Sequence, residues 1–419
     1  MKFFVISEGG DGAGLALRLQ EEGHDVRIWF REVESANRCK GLVKEDEGFE
    51  IDHDTVIVAD CTGSGDFCDS YRESGNPVLG GSKIADKLES DRAYSTDVFE
   101  NSGIKTPETK FFNDWEEARA YVETSKDKLV FKPEGDLSGV IPSYVSSDSE
   151  DMLEMLEFYK GQSPRTVPAF ALQSFIEGTC VSSEAWFNGT EFIGPFNHTI
   201  ERKQLMNNDL GPSGGCTGNV VWSCVDCEEC PICKATLWKL EDFLRSVNYV
   251  GPIDVNTVVS DDGVFALEFT PRFGYDATPT LLCALLASPI GLFLDSVARG
   301  IGGEMPLFPG FAAGVRVTVP PWPSEKFPGP EGLPLRGIKK FDRFYPYDVM
   351  KVEDEFLTSG GYGITGVALG NGASIDEAFA DAYKVAKKLR LPDKQYRGDL
   401  AEVCSRDFKR LNSFIREHA

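Results

Sequence analysis

The stretch "GPIDVNTVVSDDGVFALEFTPRFGYDAT" (251–278) decides the fold of this chain, because it predicts a β-hairpin that carries carboxylates inside its apolar strands. The Asp-Asp-Gly sequence at 261–263 interrupts the apolar pattern and predicts the turn. Asp254 and Glu268 fall on the two arms, where cross-strand neighbours come close on one face. Two like charges in an apolar setting repel each other and lose hydration, so the pattern predicts a cation beside them.

Oxygen ligands of this kind suit Mg²⁺, which typically takes one or two carboxylates together with substrate phosphates. Asp254 and Glu268 are therefore candidate metal ligands. Arg272 follows Glu268 in the same stretch, and its guanidinium can fork onto a phosphate or a carboxylate. The simpler interpretation is a surface hairpin with an incidental Asp and Glu, but their position inside apolar runs disfavours it.

Other segments of the chain contain groups that are suited to binding an anionic ligand. Lys132 lies in the apolar run "LVFKPEG" (129–135), where a buried ammonium group needs an anion. The segment "SFIEG" (174–178) is a candidate hinge between domains. The segment "DLGPSGG" (209–215) predicts a mobile glycine loop, neither helix nor strand, that presents its amides to anions.

The N-terminal segment predicts a Rossmann-like parallel sheet. The apolar runs at 2–7, 25–30 and 54–60 alternate with a Gly-rich loop at 8–14 and a helical pattern at 15–24. The loop lacks the G-x-G-x-x-G spacing of dinucleotide sites, which disfavours an NAD-dependent dehydrogenase.

Composition limits the partners. The formal net charge of −24 disfavours binding to a nucleic-acid backbone or to an anionic membrane. The most apolar stretch, 280–298, is broken by Ser288-Pro289 and predicts two buried helices and no membrane span. The start "MKFFVIS" does not predict a signal peptide, and eleven cysteines then suit a reducing compartment, so we expect a cytoplasmic protein.

Several segments, taken in order, resemble the ATP-grasp superfamily and, within it, the phosphoribosylamine–glycine ligase family. The glycine loop "DLGPSGGCTG" (209–218) is similar to the family's D-T-G-P-N-T-G-G-M-G, and "EFTPRFGYDAT" (268–278) to its E-F-N-x-R-F-G-D-P-E. The lead-in at 75–109, the hinge and the closing "YRGDLAEV" (396–403) are also similar. The resemblance implies an α/β fold with a Rossmann-like N-terminal domain (1–100), a small ATP-grasp subdomain (101–190), a large one with the metal site (191–307) and a small C-terminal α+β domain (308–419).

The resemblance also implies an ADP-forming carbon–nitrogen ligase that uses ATP with Mg²⁺ or Mn²⁺ and acts on an amino acid such as glycine and an amine such as phosphoribosylamine. It implies a monomer or small homo-oligomer. By position, the implied metal ligands are Asp254 and Glu268, and the implied catalytic residues are Arg272 and Lys132. The residues implied to bind ATP are Arg92, Lys132, Ser174, Ile176, Glu177, Glu184, Gly211, Gly214 and Gly215. Among these, Ser174 and Ile176 belong to the adenine pocket, and Glu177 or Glu184 serves the ribose.

Two departures from the family pattern bear on function. Thr270 stands where the family has a metal-binding Asn, and "ADCTGSGDF" (59–67) stands where the family has the G-P-E-x-P-L segment tied to phosphoribosylamine. Two alternatives therefore stay open. One is an ATP-grasp ligase for a different amino acid and amine, and the other is a non-catalytic nucleotide-binding regulatory protein.

The run "CVDCEECPIC" (224–233) spaces four cysteines three residues apart. Such clustering is typical of zinc or iron–sulfur sites, with Cys224, Cys227, Cys230 and Cys233 as the candidate ligands. The pairs are closer together than in most structural zinc sites, so a loop with free thiols is the alternative.

Overall fold

The computed structural model describes residues 1–31, 37–45, 48–125, 127–134, 141–162, 169–224, 226–324, 326–341 and 343–418. At the N-terminus, the four strands of a parallel sheet are β1 (Lys2–Ser7), β2 (Asp25–Phe30), β3 (Val56–Ala59) and β4 (Val78–Leu79), in the order β2-β1-β3-β4. Helices α1 (Ala13–Glu21) and α2 (Gly65–Glu73) connect them. Strands β3 and β4 are wholly apolar and buried, as expected for parallel strands that are covered on both faces. The predicted Rossmann-like domain is confirmed.

Two capped helices lead to a smaller antiparallel sheet. Ser82 and Asp91 begin helices α3 (Lys83–Ser90) and α4 (Arg92–Asn101) by accepting hydrogen bonds from main-chain amides. The elements that follow are β5 (Thr109–Phe112), α5 (Trp115–Thr124), β6 (Leu129–Pro133), β7 (Tyr144–Val145), α6 (Ser149–Gln162) and β8 (Phe170–Ser174). The sheet order is β5-β8-β6-β7, with helices α5 and α6 packed over an aromatic core. The segment 135–140, which follows β6, lies outside the described residues.

The rest of the chain is built around an eight-stranded sheet of order β13-β12-β9-β10-β11-β14-β19-β16. The strands from here on are β9 (Thr179–Asn188), β10 (Phe192–Met206), β11 (Leu210–Cys224), β12 (Val250–Ser260), β13 (Gly263–Thr270), β14 (Phe311–Thr318), β15 (Glu331–Pro334), β16 (Phe344–Pro346), β17 (Val349–Val352), β18 (Glu355–Ser359) and β19 (Ile364–Gly372). Strands β15, β18 and β17 form a separate three-stranded sheet. The predicted hairpin is confirmed, with Val255 opposite Phe269 and Ser260 opposite Gly263.

The helices that cover this sheet are α7 (Pro231–Ala235), α8 (Glu241–Ser246), α9 (Ala277–Thr280), α10 (Ile290–Ala298), α11 (Ile375–Lys388) and α12 (Leu400–His418). A π-helical turn, Leu281–Leu285, continues α9, so the apolar stretch at 280–298 does form two buried helical segments as predicted. Within the described ranges, no helix has the length and apolar character needed to cross a membrane.

Strand pairing differs from the predicted organisation at three places. The predicted small subdomain (101–190) includes β9, but this strand pairs with β10 and β12 of the large sheet. Strands β14, β16 and β19 of the region 308–419 also join that sheet. The prediction of a loop without strand structure at 209–218 is wrong, because β11 begins at Leu210 and pairs with β10. Its glycines are accommodated by register shifts near the tip of a long hairpin.

Candidate active site

The two predicted metal ligands lie in one cavity of about 130 Å³ on the face of the large sheet. Asp254 pairs with Thr270 and Asn256 pairs with Glu268, so the carboxylates are diagonal neighbours. Residues from β9 to β13, from the segment after β13 and from the start of α9 line the cavity: Ser182, Thr199, Glu201, Lys203, Gly215, Asp254, Asn256, Glu268, Thr270, Arg272, Gly274, Tyr275 and Ala277. The hairpin thus brings the predicted carboxylates together.

Asp254 is a buried carboxylate with one oxygen in use. Its Oδ2 accepts a hydrogen bond of 2.7 Å from Ser182 Oγ, while its Oδ1 has no partner among the described residues. Burial raises the pKa of Asp254 to about 7, and the charges of Glu201 and Glu268 act in the same direction. A carboxylate that is costly to ionise and keeps a free buried oxygen is suited to a cation.

Glu268 is surrounded by positive charge. Lys203 Nζ lies 3.9 Å from one carboxylate oxygen and Arg92 Nη1 lies 4.0 Å from the other. Burial alone would raise the pKa of Glu268, but the charges of Lys132, Lys203 and Arg92 outweigh it and lower the pKa. The site therefore combines a fixed anion with cations from three different elements, β6, β10 and α4.

Lys132 lies on β6, and the charge of Glu268 acts on it. Burial lowers its pKa to about 8; Glu268 raises the pKa and the neighbouring cations Arg92 and Lys203 lower it. Lys203, which we did not identify from the sequence, belongs to the same group. The alternation of β10 could have indicated it, since Glu201 and Lys203 are two residues apart and line one cavity.

Arg272 is held by the N-terminal half of the molecule. Its Nε and Nη2 donate to Glu89 Oε1 at 3.1 and 2.9 Å, and its Nη1 donates to the Phe273 carbonyl at 2.8 Å. Burial alone would lower the pKa of this guanidinium, but Tyr275 and Glu89 raise it, so Arg272 stays charged. The sequence pattern indicated a guanidinium beside the carboxylates and did not indicate the partner on helix α3.

The three glycines implied to bind ATP all lie on β11 and differ in their roles. Gly211 and Gly215 have positive φ angles of 79° and 73°, and Gly215 lines the cavity beside Glu268. Gly214 does not have a positive φ angle. A Cβ there would lie 2.3 Å from the Trp322 ring, so close packing is what requires glycine at this position.

The candidate hinge lies at the end of β8. The Ser174 amide donates to the Glu108 carbonyl at 2.8 Å, and Ile176 is half-buried. Glu177 is exposed and lines a wide cavity of about 800 Å³ between the hinge, the β12 end and helix α12. Glu184 is not near the hinge. It is buried in β9 opposite Asp254, and its Oε2 accepts from Thr278 Oγ1 at 3.1 Å.

A second, smaller cavity of about 70 Å³ adjoins the first at Arg272 and Tyr275. The N-terminal domain contributes Glu8, Asp11, Asp60, Cys61 and Thr62 to its lining, and helix α3 contributes Glu89. The segment at 59–67 that departs from the family pattern therefore reaches the cleft. Burial and the charge of Asp11 raise the pKa of Asp60 to about 8, although Ser7 Oγ donates to it at 2.8 Å.

Comparison with known proteins gives a consistent result. Residues 90–278 match the family model described as the phosphoribosylglycinamide synthetase ATP-grasp (A) domain. A phosphoribosylamine–glycine ligase from Thermotoga maritima is 27% identical over 418 residues, covering 96% of this chain and 99% of that protein. One from Clostridium acetobutylicum is 22% identical over 430 residues, covering 96% and 100%.

Solved structures show the same fold. The crystal structure of phosphoribosylamine–glycine ligase from Thermotoga maritima superimposes with a TM-score of 0.70 at 20% identity, covering 95% of this chain and 99% of that one. The biotin carboxylase domain of Hydrogenobacter thermophilus 2-oxoglutarate carboxylase, solved with MgADP, gives 0.63 at 13% identity, covering 94% and 91%. The predicted α/β fold and the resemblance on which it rested are confirmed.

Proposed function

We propose that this divergent ATP-grasp chain is an ADP-forming carbon–nitrogen ligase that joins a carboxylate to an amine at the expense of ATP, because it is similar to phosphoribosylamine–glycine ligases over most of its length. The observation that carries the proposal is the cavity in which Asp254 keeps a buried oxygen that has no hydrogen-bond partner among the described residues, while the charges of Lys132, Lys203 and Arg92 act on Glu268. The side of the cavity at Asp254 suits a metal ion, and the cations around Glu268 suit phosphate.

The donor set fits Mg²⁺ or Mn²⁺. Asp254 and Glu268 would hold the ion, which supplies positive charge that screens the ATP phosphates. Asn256 lies opposite Glu268, lines the cavity and donates from Nδ2 to Thr270 Oγ1 at 3.0 Å, so its amide oxygen is not used in that hydrogen bond. In this proposal Asn256 supplies the amide oxygen that the family takes from the position of Thr270.

The cations have separate tasks. Lys132, Lys203 and Arg92 bind and orient the phosphates of ATP, and Arg272 offsets the charge that develops during transfer. A substrate carboxylate oxygen attacks the γ-phosphorus and ADP leaves. The amine nitrogen then attacks the acyl carbon, phosphate leaves with the carboxylate oxygen, and the nitrogen loses a proton. Ser174, Ile176 and Glu177 at the hinge would receive the nucleoside, while the buried position of Glu184 removes it from the ribose role.

Glycine and phosphoribosylamine are the first substrate pair to test, because the relatives named above act on them. A different amine is the second candidate, and the cavity beside Arg272 favours it. Glu8, Asp11, Asp60 and Glu89 line that cavity together with one cation, Arg272, and burial, followed by the charge of Asp11, raises the pKa of Asp60 to about 8. A phosphate would meet four carboxyl groups and a single guanidinium there, whereas a cationic amine without phosphate would be attracted by the carboxyl groups.

An ADP-release screen over amino acids and amines tests the proposal, with phosphoribosylamine included. We expect ADP release that requires Mg²⁺ and a carboxylate and that yields an amide when the amine is present. Nucleotide binding without carboxylate-dependent ADP release would instead support the non-catalytic regulatory role. A cytoplasmic location and a monomeric or small homo-oligomeric state complete the proposal, and size measurement of the purified chain addresses the latter.

A further inference from the structure

A compact group of metal-ligating side chains lies on the opposite face of the large sheet from the proposed ATP site. It consists of His198, Cys224, Cys230 and Cys233, and one ligand atom from each lies within 4.8 Å of every other. All four residues are buried, at 1%, 9%, 5% and 0% exposed. Three of them belong to the cysteine run, but the fourth is a histidine from another strand. Cys227, the remaining cysteine of the run, lies outside the group.

The topology of the sheet creates the group. His198 on β10 lies opposite Trp222 on β11, and Phe196 lies opposite Cys224, so His198 and Cys224 are diagonal neighbours on one face. Cys230 directly precedes helix α7 and Cys233 lies within it, which brings two thiols of a Cys-x-x-Cys turn over that face. The Lys234 amide donates to the Cys230 carbonyl at 2.9 Å and fixes the turn.

The distances match a tetrahedral ion. His198 Nε2 lies 3.5 Å from Cys230 Sγ and 4.0 Å from Cys233 Sγ, and Cys233 Sγ lies 3.9 Å from Cys224 Sγ. Bonds of about 2.3 Å to sulfur and about 2.0 Å to nitrogen place tetrahedral ligand atoms about 3.5–3.8 Å apart. From this geometry we propose that His198, Cys224, Cys230 and Cys233 bind one structural zinc ion.

One further contact supports the assignment. His198 Nδ1 lies 2.8 Å from Ser183 Oγ on the neighbouring strand β9, so Nε2 is the nitrogen directed at the thiols. With Nε2 on a metal, Nδ1 carries the proton and donates a hydrogen bond to Ser183 Oγ, and such a hydrogen bond fixes the orientation of most metal-bound histidines.

The size and ligand set of the group select zinc over the iron–sulfur alternative. A four-iron cluster attaches each cysteine to a different iron and needs a wider cage than ligand atoms within 4.8 Å of one another provide. Three thiolates and one imidazole with no open position are typical of structural zinc. The ion would hold α7, a helix of 5 residues, against β10 and β11. On the other face of β10, the neighbouring residue Thr199 lines the ATP cavity.

Metal analysis of the full-length protein, purified without air or chelator, tests the site independently of any ligase activity. We expect about one zinc ion per chain, and about one again after removal and reconstitution with Zn²⁺ alone. Wild-type protein without stoichiometric zinc after both treatments would overturn the proposal. So would a disulfide between any two of Cys224, Cys230 and Cys233 in the anaerobically purified chain, detected by mass spectrometry.

Variants distinguish this ligand set from the four cysteines of the run. His198→Gln and Cys233→Ser should lose the zinc, while the matched control Cys227→Ser should keep it. Ser183→Ala should weaken zinc binding by about 10- to 100-fold because it removes the partner of Nδ1. If Cys227→Ser lost the metal and His198→Gln kept it, the histidine assignment would be wrong.

X-ray absorption of the wild-type zinc protein keeps the test decisive if those variants do not fold. The proposal requires three sulfur ligands at about 2.3 Å and one nitrogen at about 2.0 Å. Co²⁺ substituted at the site should give the strong visible bands of a tetrahedral thiolate complex. A four-sulfur shell, an oxygen-rich shell or an iron cluster would each contradict the proposal.

Discussion

The pKa of Lys132 gives a sharp prediction for nucleotide binding. The ammonium group is charged below its pKa of about 8, and only the charged form attracts phosphate. Bound ATP stabilises the charged form, so affinity falls as pH rises through the pKa of the free protein. With that pKa, the charged fraction drops from about 0.9 at pH 7 to about 0.09 at pH 9. MgATP affinity should therefore fall about tenfold, or about 1.4 kcal/mol, over that interval.

Titration calorimetry at fixed ionic strength measures this fall, and three variants test its cause. Lys132→Arg keeps its charge throughout and should lose the pH dependence, whatever its absolute affinity. Lys203→Met removes a charge that lowers the pKa of Lys132, so the fall should begin at higher pH. Glu268→Gln removes a charge that raises it, so the fall should begin at lower pH. Wild-type affinity that does not change between pH 7 and 9, or an equal fall in Lys132→Arg, would refute the reasoning.

Three other predictions follow from the cavity and its surroundings. Glu268→Gln should reduce Mg²⁺-dependent ADP formation by about 100-fold or more, because a neutral amide cannot balance the charge of the metal and of the neighbouring cations. Its circular dichroism spectrum should be unchanged. Near-normal activity of the variant would show that Glu268 does not belong to the metal site. Gly214→Ala should destabilise the chain by about 1–3 kcal/mol in urea unfolding, because its Cβ meets the Trp322 ring at 2.3 Å, and adding Trp322→Leu should recover part of that loss. The folded-state pKa of Asp254, about 7, exceeds its ordinary value of 3.8, so the stability that the protonated form contributes is lost as pH rises through about 7. Mg²⁺ should therefore raise Tm more at pH 8, where the carboxylate is ionised, than at pH 6. Equal shifts of Tm at the two pH values in a thermal scan would argue against metal binding at Asp254.

The sequence was sufficient to predict the strands, helices and site residues that depend on local pattern. Alternating apolar residues and an Asp-Asp-Gly turn specify the β12–β13 hairpin, and the same pattern places Asp254 and Glu268 on one face. The N-terminal strands and the two helical segments at 280–298 follow equally from short-range periodicity. Lys132 required one further inference, that a lysine in an apolar strand needs an anion nearby, and Glu268 is the anion whose charge raises its pKa most.

The features that the sequence did not predict depend on contacts between residues that are far apart in the chain. The Glu89 partner of Arg272 lies 183 residues away, and no local pattern indicates such a contact. His198 and Cys233 are 35 residues apart, so the cysteine spacing alone suggested Cys227 in place of the histidine. The glycines of β11 suggested a loop because propensity carries no information about a partner strand, and pairing with β10 overrides it. Glu184 lies near the hinge in sequence, but a strand rises about 3.3 Å per residue and carries it away into the sheet.

Transfer of an oxygen isotope tests the central claim most directly. The carboxylate substrate identified by the screen, glycine in the first instance, is labelled with ¹⁸O and incubated with MgATP and its amine, and the released phosphate is analysed by mass spectrometry. Attack of the carboxylate on the γ-phosphorus requires that one labelled oxygen enters each phosphate released with amide formation, and Glu268→Gln should abolish both products. Phosphate that carries no label while amide forms, or ADP release that does not depend on the carboxylate, would contradict the proposed ligase.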